Sequence, residues 1–459
     1  MKKIFSIFYL VALISFFNHA EILAQKLKFS AAEKIVEGIQ PTSFPDQTFL
    51  ITDHGGRGDG NFDNYDIINR LIHTCSAKGG GKVVIPAGVF YCAGAINLRN
   101  NVNLHLEEGA VLMFSPEPRD YLPSVFTRWE GVELFNYSPL IYTVGQQNVA
   151  ITGTGTINGN GDAIWTGFRN KQKPAQSRLR VMGSTELPLQ NRVFGAGDYL
   201  RTPLIQFVSC ERILVEGVTL TNSPFWILQP VYSSHIIIRD VNFHSMVINN
   251  DGIDLDSSTD ALIENCSFRT GDDAVVFKSG RDQDAWRVNK PTKRVVVRNC
   301  EAPQVLHGLA FGSEMSGGVE EIYIENFKMD QVKSEAIQFK ANKDRGGYIR
   351  NIFIRNILVD SAKQHLIYFT NDYHGYRGGN FPSSFSNIRI EDVNCNYARY
   401  AFQLQGLEDQ PLENLYFQDI LVQDAQDVFD KKDYFKEVVF KNVEVEGELI
   451  KLEPSSNVK

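Results

Sequence analysis

The amino-acid sequence predicts an all-β chain wound into one parallel β-solenoid. A short unit of alternating aliphatic residues followed by Asn or Asp recurs through the second half of the chain. The composition also combines 31 phenylalanines and 36 glycines with only 6 methionines. Aromatic and β-branched residues together with glycine favour strands and turns over helices. Because a solenoid core grows with chain length, 459 residues need not divide into several domains.

The repeated unit sets the size of the predicted coils. Its copies begin at Ile213, Ile236, Ala261, Val295, Ile322, Ile352, Ile388, Leu415 and Val438. The Asn or Asp within the unit stands at Asp240, Asn265, Asn299, Asn326, Asn356, Asp392, Asp419 and Asn442. Successive positions are between 23 residues (Asp419 to Asn442) and 36 residues (Asn356 to Asp392) apart, which suits one solenoid coil. Since Asn and Asp tolerate the left-handed conformation of a corner, stacked corners are expected to form a hydrogen-bonded ladder.

The first part of the chain is predicted to open the solenoid. Two segments, which begin at Asn101 and Asn148, have the alternation of early coils. Before them, residues 63–78 carry apolar residues at helical spacing, namely Ile67, Leu71 and Cys75. This helix is expected to cap the open end of the solenoid, where strand edges must be covered.

Residues 1–25 have the pattern of a secretory signal peptide, with Lys2 and Lys3 before a short apolar run and Ala24 near its end. The alternative is a membrane anchor. The division predicted is therefore a signal peptide over 1–25 and one solenoid domain over 26–459. The mature protein is expected to be secreted or periplasmic, without a membrane association.

Six scattered cysteines contain no CxxC pair, so a metal site is not indicated, and no cofactor is expected. Some could form disulfides in an exported protein, but their places in strand-like runs favour buried free thiols. The net charge of −8 gives no sign of a nucleic-acid partner.

Two acidic motifs point to chemistry: Asn249-Asn250-Asp251-Gly252-Ile253-Asp254 and Gly271-Asp272-Asp273. Asp251 and Asp272 are 21 residues apart, about one coil, so they are expected to stack as neighbours. Crowded carboxylates repel each other, and at least one pKa should be raised. Glycoside hydrolysis needs that division between a protonated and an ionised carboxyl group. The alternatives are corner residues without a chemical role, or a calcium site.

Cationic residues follow in later coils. His307 and Lys340 are 33 residues apart and fall after the Asn of their coils, so both are expected in one column with the aspartates. Such a column would suit an acidic sugar, whereas a structural His and a solvated Lys are the alternatives. Residues 278–298 carry seven basic and two acidic side chains, which would steer a polyanion. The segment 162–201 interrupts the repeat, either as a solvated loop or as a wall of the cleft.

With these motifs in order, the chain resembles the polygalacturonase family of pectin-degrading glycoside hydrolases. The segment from Gly58 is similar to the family's opening, and the family's Asn-Thr-Asp, Gly-Asp-Asp, Gly-His-Gly and Arg-Ile-Lys motifs have counterparts here. The resemblance implies a right-handed parallel β-helix that cleaves α-galacturonosyl linkages with inversion. The implied substrate is a pectic polysaccharide, either homogalacturonan or the rhamnogalacturonan backbone. A monomer is expected.

The resemblance also implies roles for individual residues. Asp272 corresponds to the general acid, and Asp251 and Asp273 correspond to the pair that activates water. His307 corresponds to the histidine that supports the acid, and Lys340 to the lysine that binds a galacturonate carboxylate. The further residues implied in substrate binding are Asn249 and Tyr368. An inverting site implies acid and base carboxyls roughly 6.5–9.5 Å apart.

Three positions depart from the family pattern: Asn250 stands for Thr, Leu306 for Gly and Gln338 for Arg. A neutral amide at 338 cannot make a charge-assisted fork to a carboxylate, so a leaving sugar without a carboxylate becomes plausible. Arg345 is expected to compensate. The insertion and the segment that begins at Arg128 are similar to bacterial exo-acting members. The alternatives are a pectate lyase on the same fold and a carbohydrate-binding solenoid without catalysis.

Overall fold

The computed structural model, which describes residues 30–162 and 164–452, is a right-handed parallel β-helix. Each strand of the coils pairs in parallel with strands one coil away, as the repeat predicted. The first residues of the nine repeat units stand in one continuous register, from Ile213 opposite Ile236 to Leu415 opposite Val438. The predicted signal peptide lies outside the described residues. Within those residues, no helix is both long and apolar enough to cross a membrane.

The described residues form strands β1 Thr48–Leu50, β2 Asp59–Asp63, β3 Gly81–Ile85, β4 Gly88–Cys92, β5 Ile96–Asn97, β6 Val102–Leu106, β7 Ala110–Phe114, β8 Val125–Trp129, β9 Val132–Asn136, β10 Ile141–Val144, β11 Gln147–Gly153, β12 Thr156–Asn158, β13 Ile205–Val208, β14 Glu211–Glu216, β15 Thr219–Thr221, β16 Leu228–Val231, β17 Ser234–Arg239, β18 Asn242–Ser245, β19 Ile253–Asp256, β20 Thr259–Glu264, β21 Ser267–Thr270, β22 Asp273–Lys278, β23 Thr292–Val305, β24 His307–Gly312, β25 Val319–Val332, β26 Ile337–Lys340, β27 Tyr348–Thr370, β28 Ser384–Gln405, β29 Leu412–Asp433, β30 Phe435–Val445 and β31 Glu448–Leu449. The helices are α1 30–38, α2 Tyr65–Ala77, α3 Ile164–Arg169, α4 Lys173–Ser184 and α5 Asp282–Val288, with short 3₁₀ turns at Ile51–His54, Pro118–Tyr121 and Leu189–Asn191.

The coil corners confirm the role expected of Asn and Asp. All eight corner residues of the repeat have left-handed backbone conformations, with φ between 50° and 57°. Their side chains form the predicted ladder where they stack: the amide of Asn326 donates to Asn299 at 2.8 Å, and that of Asn356 donates to Asn326 at 2.6 Å. The ladder therefore gives hydrogen-bond partners to the side-chain amides at the corners, where the backbone has a conformation that most other residues adopt only with strain.

The interior of the solenoid is a continuous apolar core. Phe277, Phe311, Phe339 and Phe369 stack in successive coils with ring centroids 4.3–4.7 Å apart. All six cysteines lie within the described residues and are buried and free, which confirms the interpretation as thiols. Residues that alternate with the core residues face outward, and these supply the polar surface on which a site can be built.

The predicted capping helix is α2, whose apolar face is buried against the first coil. A second cover was not predicted. The N-terminal strap, residues 30–47, begins with α1 on the outer face of β20, β23, β25 and β27, where Ala32 and Ile39 pack against Val296 and Tyr323. It then runs back to the first coil, where the carbonyl of Gln47 accepts from the backbone N–H of Lys82. The strap thus covers apolar residues that point out of the sheet.

Between β12 and β13 the chain leaves the coils for the insertion predicted from the sequence. It forms α3 and α4 rather than an irregular loop. Trp165 is buried beside Tyr137, and Leu179 joins a separate apolar cluster with Trp129 and Phe225. This packing fixes the insertion against the side of the solenoid.

Candidate active site

A pocket of about 660 Å³ lies on the outside of the solenoid where β19, β22, β24 and β26 stack. Polar and charged side chains make up most of its lining. Of the residues predicted for the site, seven line it: Asn249, Asp251, Asp272, Asp273, His307, Lys340 and Arg345. The sequence motifs, which are up to 96 residues apart (Asn249 to Arg345), therefore converge in one place.

The stacking of coils brings the carboxylates and His307 together. Asp273 is directly opposite His307 in the parallel register. Ile253 is opposite Val275, so Asp251, two residues earlier, stacks on Asp273 rather than on Asp272. The sequence predicted Asp272 as the stacked neighbour of Asp251, whereas the observed register pairs Asp251 with the next residue, Asp273. Asp272 precedes the first residue of β22 and projects from beside the column.

Asp273 is buried between two cationic side chains. Its Oδ1 lies 2.6 Å from His307 Nδ1, and its Oδ2 lies 3.3 Å from Lys340 Nζ. Burial alone would raise the pKa of Asp273, but the charges of Lys340 and His307 outweigh it and hold the pKa well below its usual range. Asp273 is therefore ionised throughout the neutral range.

Asp251 is in a different electrostatic environment. Burial and the neighbouring carboxylate of Asp254 raise the pKa of Asp251 well above its usual range, although Lys278 works in the opposite direction. Burial likewise raises the pKa of Asp254 to about 7, again against the effect of Lys278. Lys278 Nζ lies 2.7 Å from Asp254 Oδ1 and 3.3 Å from Asp251 Oδ2. The prediction that crowding would raise at least one carboxyl pKa thus agrees with Asp251, where burial is the larger cause.

Asp272 has the most accessible of the three predicted carboxyl groups. Its side chain is 16% exposed, against 5% for Asp251 and 2% for Asp273. The amide of Asn249 donates to Asp272 Oδ2 at 3.0 Å. The other end of that amide accepts from the guanidinium of Arg201 at 2.7 Å, and because Arg can only donate, the amide orientation is fixed. The Asp272 carboxyl is therefore held in the pocket with a defined orientation.

His307 bridges carboxylates on both sides of its ring. Its Nδ1 lies 2.6 Å from Asp273 and 3.4 Å from Asp272, and its Nε2 lies 3.2 Å from Glu335. Burial opposes the charged ring, but Asp273 and hydrogen bonds to the three carboxylates raise the pKa of His307 well above its usual range. The ring is consequently an imidazolium at neutral pH.

Lys340 does not stand in the same column as His307, as had been expected from the sequence. It is opposite Gly312, and Lys278 is opposite Asp256, so the two lysines belong to a column five residues beyond that of Asp273 and His307. The expected single column of three carboxylates, His307 and Lys340 is thus two columns, because Lys340 ends its strand whereas His307 begins one. Lys340 reaches the cluster through the length of its side chain, and its ammonium also faces the Tyr373 ring at 5.5 Å.

The remaining predicted binding residues differ in position. Arg345 lines the pocket, yet its Nη1 donates to Asp282 at 2.7 Å and its Nε to the Ser313 carbonyl at 2.7 Å. Among the described residues that form the lining, Gln338 and Tyr368 are not found. They stand opposite each other in β26 and β27, at the side of the pocket. Substrate contacts by these three residues stay predictions.

The insertion forms one wall of the pocket, which favours the second of its two predicted interpretations. Gln172 and Gln176 of this segment line the pocket with Arg169, Lys173 and Arg180. Gln176 Nε2 and Arg180 Nη2 donate to Glu130, which lies in the turn between β8 and β9, at 2.8 Å and 2.6 Å. The hairpin and the insertion are therefore joined at the pocket wall.

The basic stretch 278–298 does not form the free cationic patch expected from its composition. Carboxylates of neighbouring coils and of the hairpin pair with its side chains: Arg294 with Asp260 at 2.6 Å, Arg298 with Glu264 at 2.9 Å, and Arg281 with Glu314. Five of the seven basic side chains are ion-paired, so a linear count overstates the free positive charge, and steering of a polyanion by this stretch stays a prediction.

Cation binding by the central cluster is disfavoured by its own contacts. Ligand atoms of Asp272, Asp273 and His307 lie within 4.8 Å of one another. However, the Nδ1 that would coordinate a metal faces Asp273, the ammonium group of Lys340 already contacts Asp273, and that of Lys278 contacts the neighbouring Asp251. The donor set is therefore suited to an organic acid with hydroxyl groups rather than to a metal ion.

Sequence reasoning missed several side chains of the pocket. Lys278 ends the otherwise apolar run of β22, and a lone charge closing a buried strand was a usable signal. Trp226 lies under it, with the ammonium 3.6 Å from the ring centroid, and stacks on Phe225. Glu314 and Glu130 carried no signal in the sequence, since single acidic residues in turns are usually solvated.

Comparisons with known proteins agree with this architecture. The sequence profile described as Glycosyl hydrolases family 28 matches residues 200–443. A protein of Vitis vinifera described as "Probable polygalacturonase" is 29% identical over 81% of this chain and 73% of its own length. An exo-poly-alpha-D-galacturonosidase of Dickeya chrysanthemi is 24% identical over 75% of this chain and 61% of its own length. The crystal structure of a hyperthermoactive exopolygalacturonase from Thermotoga maritima superposes with a TM-score of 0.85 and 35% sequence identity. The match covers 90% of this chain and 96% of the Thermotoga maritima chain. The chain is thus a glycosidase that belongs to glycosyl hydrolases family 28.

Proposed function

We propose that this enzyme hydrolyses α-galacturonosyl linkages of pectin from a chain end, with inversion of the anomeric centre. The observation that carries the proposal is the convergence of Asp251, Asp272 and Asp273 with Lys340 in one pocket. Glycoside hydrolysis needs one carboxyl group that donates a proton and another that activates water, and this pocket holds three carboxyl groups that could share the two roles. The ammonium group supplies recognition of an acidic sugar.

Asp272 is assigned as the general acid. The group that protonates the leaving oxygen must touch the substrate, and Asp272 has the most exposed of the three carboxyls. Its orientation is set by Asn249, and His307 lies 3.4 Å away on its other side. Both neighbours leave the outer part of the carboxyl free to face a glycosidic oxygen.

Asp251 and Asp273 are assigned as the pair that activates water. Asp273 is held ionised by Lys340 and His307, so it can orient a water molecule as a hydrogen-bond acceptor. Asp251 stacks on Asp273 in the neighbouring coil, and Lys278 Nζ, 3.3 Å from Asp251 Oδ2, stabilises its proton-accepting form. The water gives its proton to this pair while its oxygen attacks the anomeric carbon, and the proton of Asp272 leaves with the departing sugar.

Lys340 is assigned to the carboxylate of the galacturonate at the cleaved bond. A charge-assisted hydrogen bond from a buried ammonium is strong, and Lys340 is only 6% exposed. Arg169 and Lys173 of the insertion bring two further cationic side chains to the pocket lining. A polyanionic pectic chain matches this distribution of charge.

Action from a chain end is supported by the wall that the insertion adds to the pocket. The contacts of Gln176 and Arg180 with Glu130 join the insertion to the β8–β9 hairpin there. Two of the relatives named above are described as exo-acting. Secretion through the signal peptide at 1–25 and a monomeric state complete the proposal.

Product analysis tests this proposal. Purified protein is incubated with homogalacturonan oligomers and, side by side, with rhamnogalacturonan fragments. Release of short saturated products from one end, with inversion of the new anomeric centre followed by NMR, is the expected result. An unsaturated product that absorbs in the ultraviolet would indicate a lyase, and binding without any cleavage would indicate a carbohydrate-binding solenoid. Cleavage of only the rhamnogalacturonan fragments would identify the rhamnogalacturonan backbone as the substrate, with Gln338 facing a neutral leaving sugar.

A further inference from the structure

The hydrogen-bond chain of His307 continues away from the pocket into the neighbouring coils. His307 Nε2 lies 3.2 Å from one oxygen of Glu335, and the other oxygen of Glu335 lies 3.3 Å from His365 Nδ1. His365 Nε2 lies 3.1 Å from Asp430 Oδ2, which is at the surface. Among the described residues that line the pocket, Glu335, His365 and Asp430 are not found. Of the residues that line the pocket, His307 is the one that this chain of contacts reaches.

The solenoid register produces this arrangement. Leu309, Ile337 and Ile367 are opposite one another in β24, β26 and β27. His307, Glu335 and His365 each stand two residues earlier, so they occupy the same position in three successive coils. Coils stack about 4.8 Å apart, which places histidine and carboxylate side chains in alternation within hydrogen-bond reach. Glu335 and His365 are 8% and 6% exposed, so water screens these contacts only weakly.

The geometry fixes the protonation of His307. A neutral imidazole has one N–H and one lone pair, and it can donate to only one acceptor. His307 has carboxylate oxygens at both nitrogens, so both nitrogens must carry a proton for both contacts to be favourable. We propose that Glu335, supported by His365, is a positioning residue that keeps His307 doubly protonated and oriented towards Asp272 and Asp273. This inference rests on the proposed hydrolase function, since it assigns a role to residues behind that same site.

All the charged neighbours of His307 enter this balance. Asp272 and Asp273 lie on the pocket side and Glu335 on the far side, while Lys340 contacts Asp273 and Tyr373 lies nearby. Two carboxylates on the pocket side alone would leave Nε2 facing a buried space without an acceptor. Glu335 instead supplies an acceptor for the Nε2–H of His307.

Glu335 has neighbours that preserve its charge. Burial opposes its ionisation, but hydrogen bonds from His307 and His365 outweigh it and hold the pKa of Glu335 well below its usual range. The amide of Gln338 also faces it at 3.4 Å. His365 in turn lies beside the rings of Tyr368 and Tyr400, at centroid distances of 4.9 Å and 5.2 Å. The carboxylate is thus a fixed negative charge behind His307.

The test replaces Glu335 by Gln, which keeps the size of the side chain and an acceptor oxygen but removes the charge. The matched control is Glu325→Gln, because Glu325 is on the outer side of β25 and pairs with Arg355 at 2.5 Å. Steady-state kinetics on galacturonan oligomers give kcat, KM and the pH profile. Titration of the histidine ring signals by NMR, with His307→Gln to assign its resonance, follows the protonation of His307 directly.

In E335Q we expect kcat to fall roughly 10- to 100-fold with KM nearly unchanged, the range seen when the outer partner of a metal-bound histidine is removed. The alkaline limb of the pH profile should move to lower pH, and the His307 signals should titrate at lower pH than in the wild type. E335D should recover part of both effects, and E325Q should behave as the wild type. A purely structural role would lower thermal stability without moving the pH profile.

A folded E335Q variant with the wild-type pH profile and the wild-type His307 titration would overturn the inference. If E335Q does not fold, His365→Asn carries the same test, with a shift in the same direction as support and an unchanged profile as refutation. If the wild-type protein cleaves no pectic substrate, the proposed function fails, and the NMR titration still decides whether Glu335 controls His307.

Discussion

Replacing Asp272 by Asn is the sharpest test of the proposed chemistry. The new amide cannot donate an acidic proton. Its oxygen can still accept the hydrogen bond from Asn249, whose Nδ2 lies 3.0 Å from Asp272 Oδ2 in the wild type. Because the side chain is only partly buried and the residue volume is conserved, thermal stability should change little. Loss of general acid catalysis costs roughly 100- to 10,000-fold in rate, or about 3–5 kcal/mol of transition-state stabilisation. KM for galacturonan should stay within a few-fold, since Lys340 and the pocket wall are untouched.

Two substrates separate the acid from the base in this experiment. A nitrophenyl galacturonide releases a phenol that needs little protonation, so D272N should lose far less activity on it than on galacturonan. D251N and D273N should lose activity on both, because water activation is required in either case. The control is Asp260→Asn, the same substitution at an aspartate that pairs with Arg294 and is not part of the pocket lining. Galacturonan hydrolysis by D272N within tenfold of the wild-type kcat would refute the assignment of Asp272.

Other predictions concern binding, pH and the coil corners. Lys340→Met should lower kcat/KM for galacturonan by about 10- to 100-fold, because a lost hydrogen bond to a charged group costs about 1.5–3 kcal/mol. The loss of kcat/KM should be smaller on a methyl-esterified oligomer, which has no free carboxylate. Equal losses on both substrates would contradict a carboxylate contact. Glu335 has a lowered pKa in the folded state, so its contribution to stability is present above pH 4.5 and lost as the pH falls through the folded-state value. The difference in melting temperature between the wild type and E335Q should therefore shrink from pH 7 to pH 3, and a constant difference would exclude a charge effect. Asn356→Ala should lower the free energy of unfolding by about 1–2 kcal/mol, because alanine is strained in the left-handed conformation of this corner. Asn356→Gly should lower the free energy of unfolding by less, because glycine has no Cβ. Equal melting temperatures for the two variants would argue against strain at this corner.

The coil architecture could be predicted because its cause is local and repeated. Alternating aliphatic residues decide which side chains enter the core, and Asn or Asp at the corner decides where the strand turns. Both features recur at every coil, so each coil repeats the same evidence. The N-terminal strap was not predicted, because its partners Val296 and Tyr323 are outward-facing apolar residues separated from it by more than 250 residues in the chain.

The site was predictable in its main residues but not in its contacts. One-coil spacing brought Asp251, Asp273 and His307 together as expected, since stacking converts a fixed sequence interval into proximity. The exact register, which pairs Asp251 with Asp273, depends on coil lengths that vary too much to count from the sequence. Glu335 and His365 showed no motif of their own, although they stand in the same column.

The sequence alone therefore determined the parallel β-helix, the acidic motifs and the identity of the residues most suited to glycoside hydrolysis. The tertiary structure decided the direction of the pKa shifts of Asp251, Asp273 and His307, because their burial and their partners Lys278, Lys340 and Glu335 come from different coils. It also decided that five of the seven basic side chains in residues 278–298 are ion-paired, since their acidic partners come mainly from neighbouring coils and from the β8–β9 hairpin. The physical reason is that strand periodicity is encoded locally, whereas the electrostatics of a site depends on every charge within a few ångströms, whatever its place in the chain.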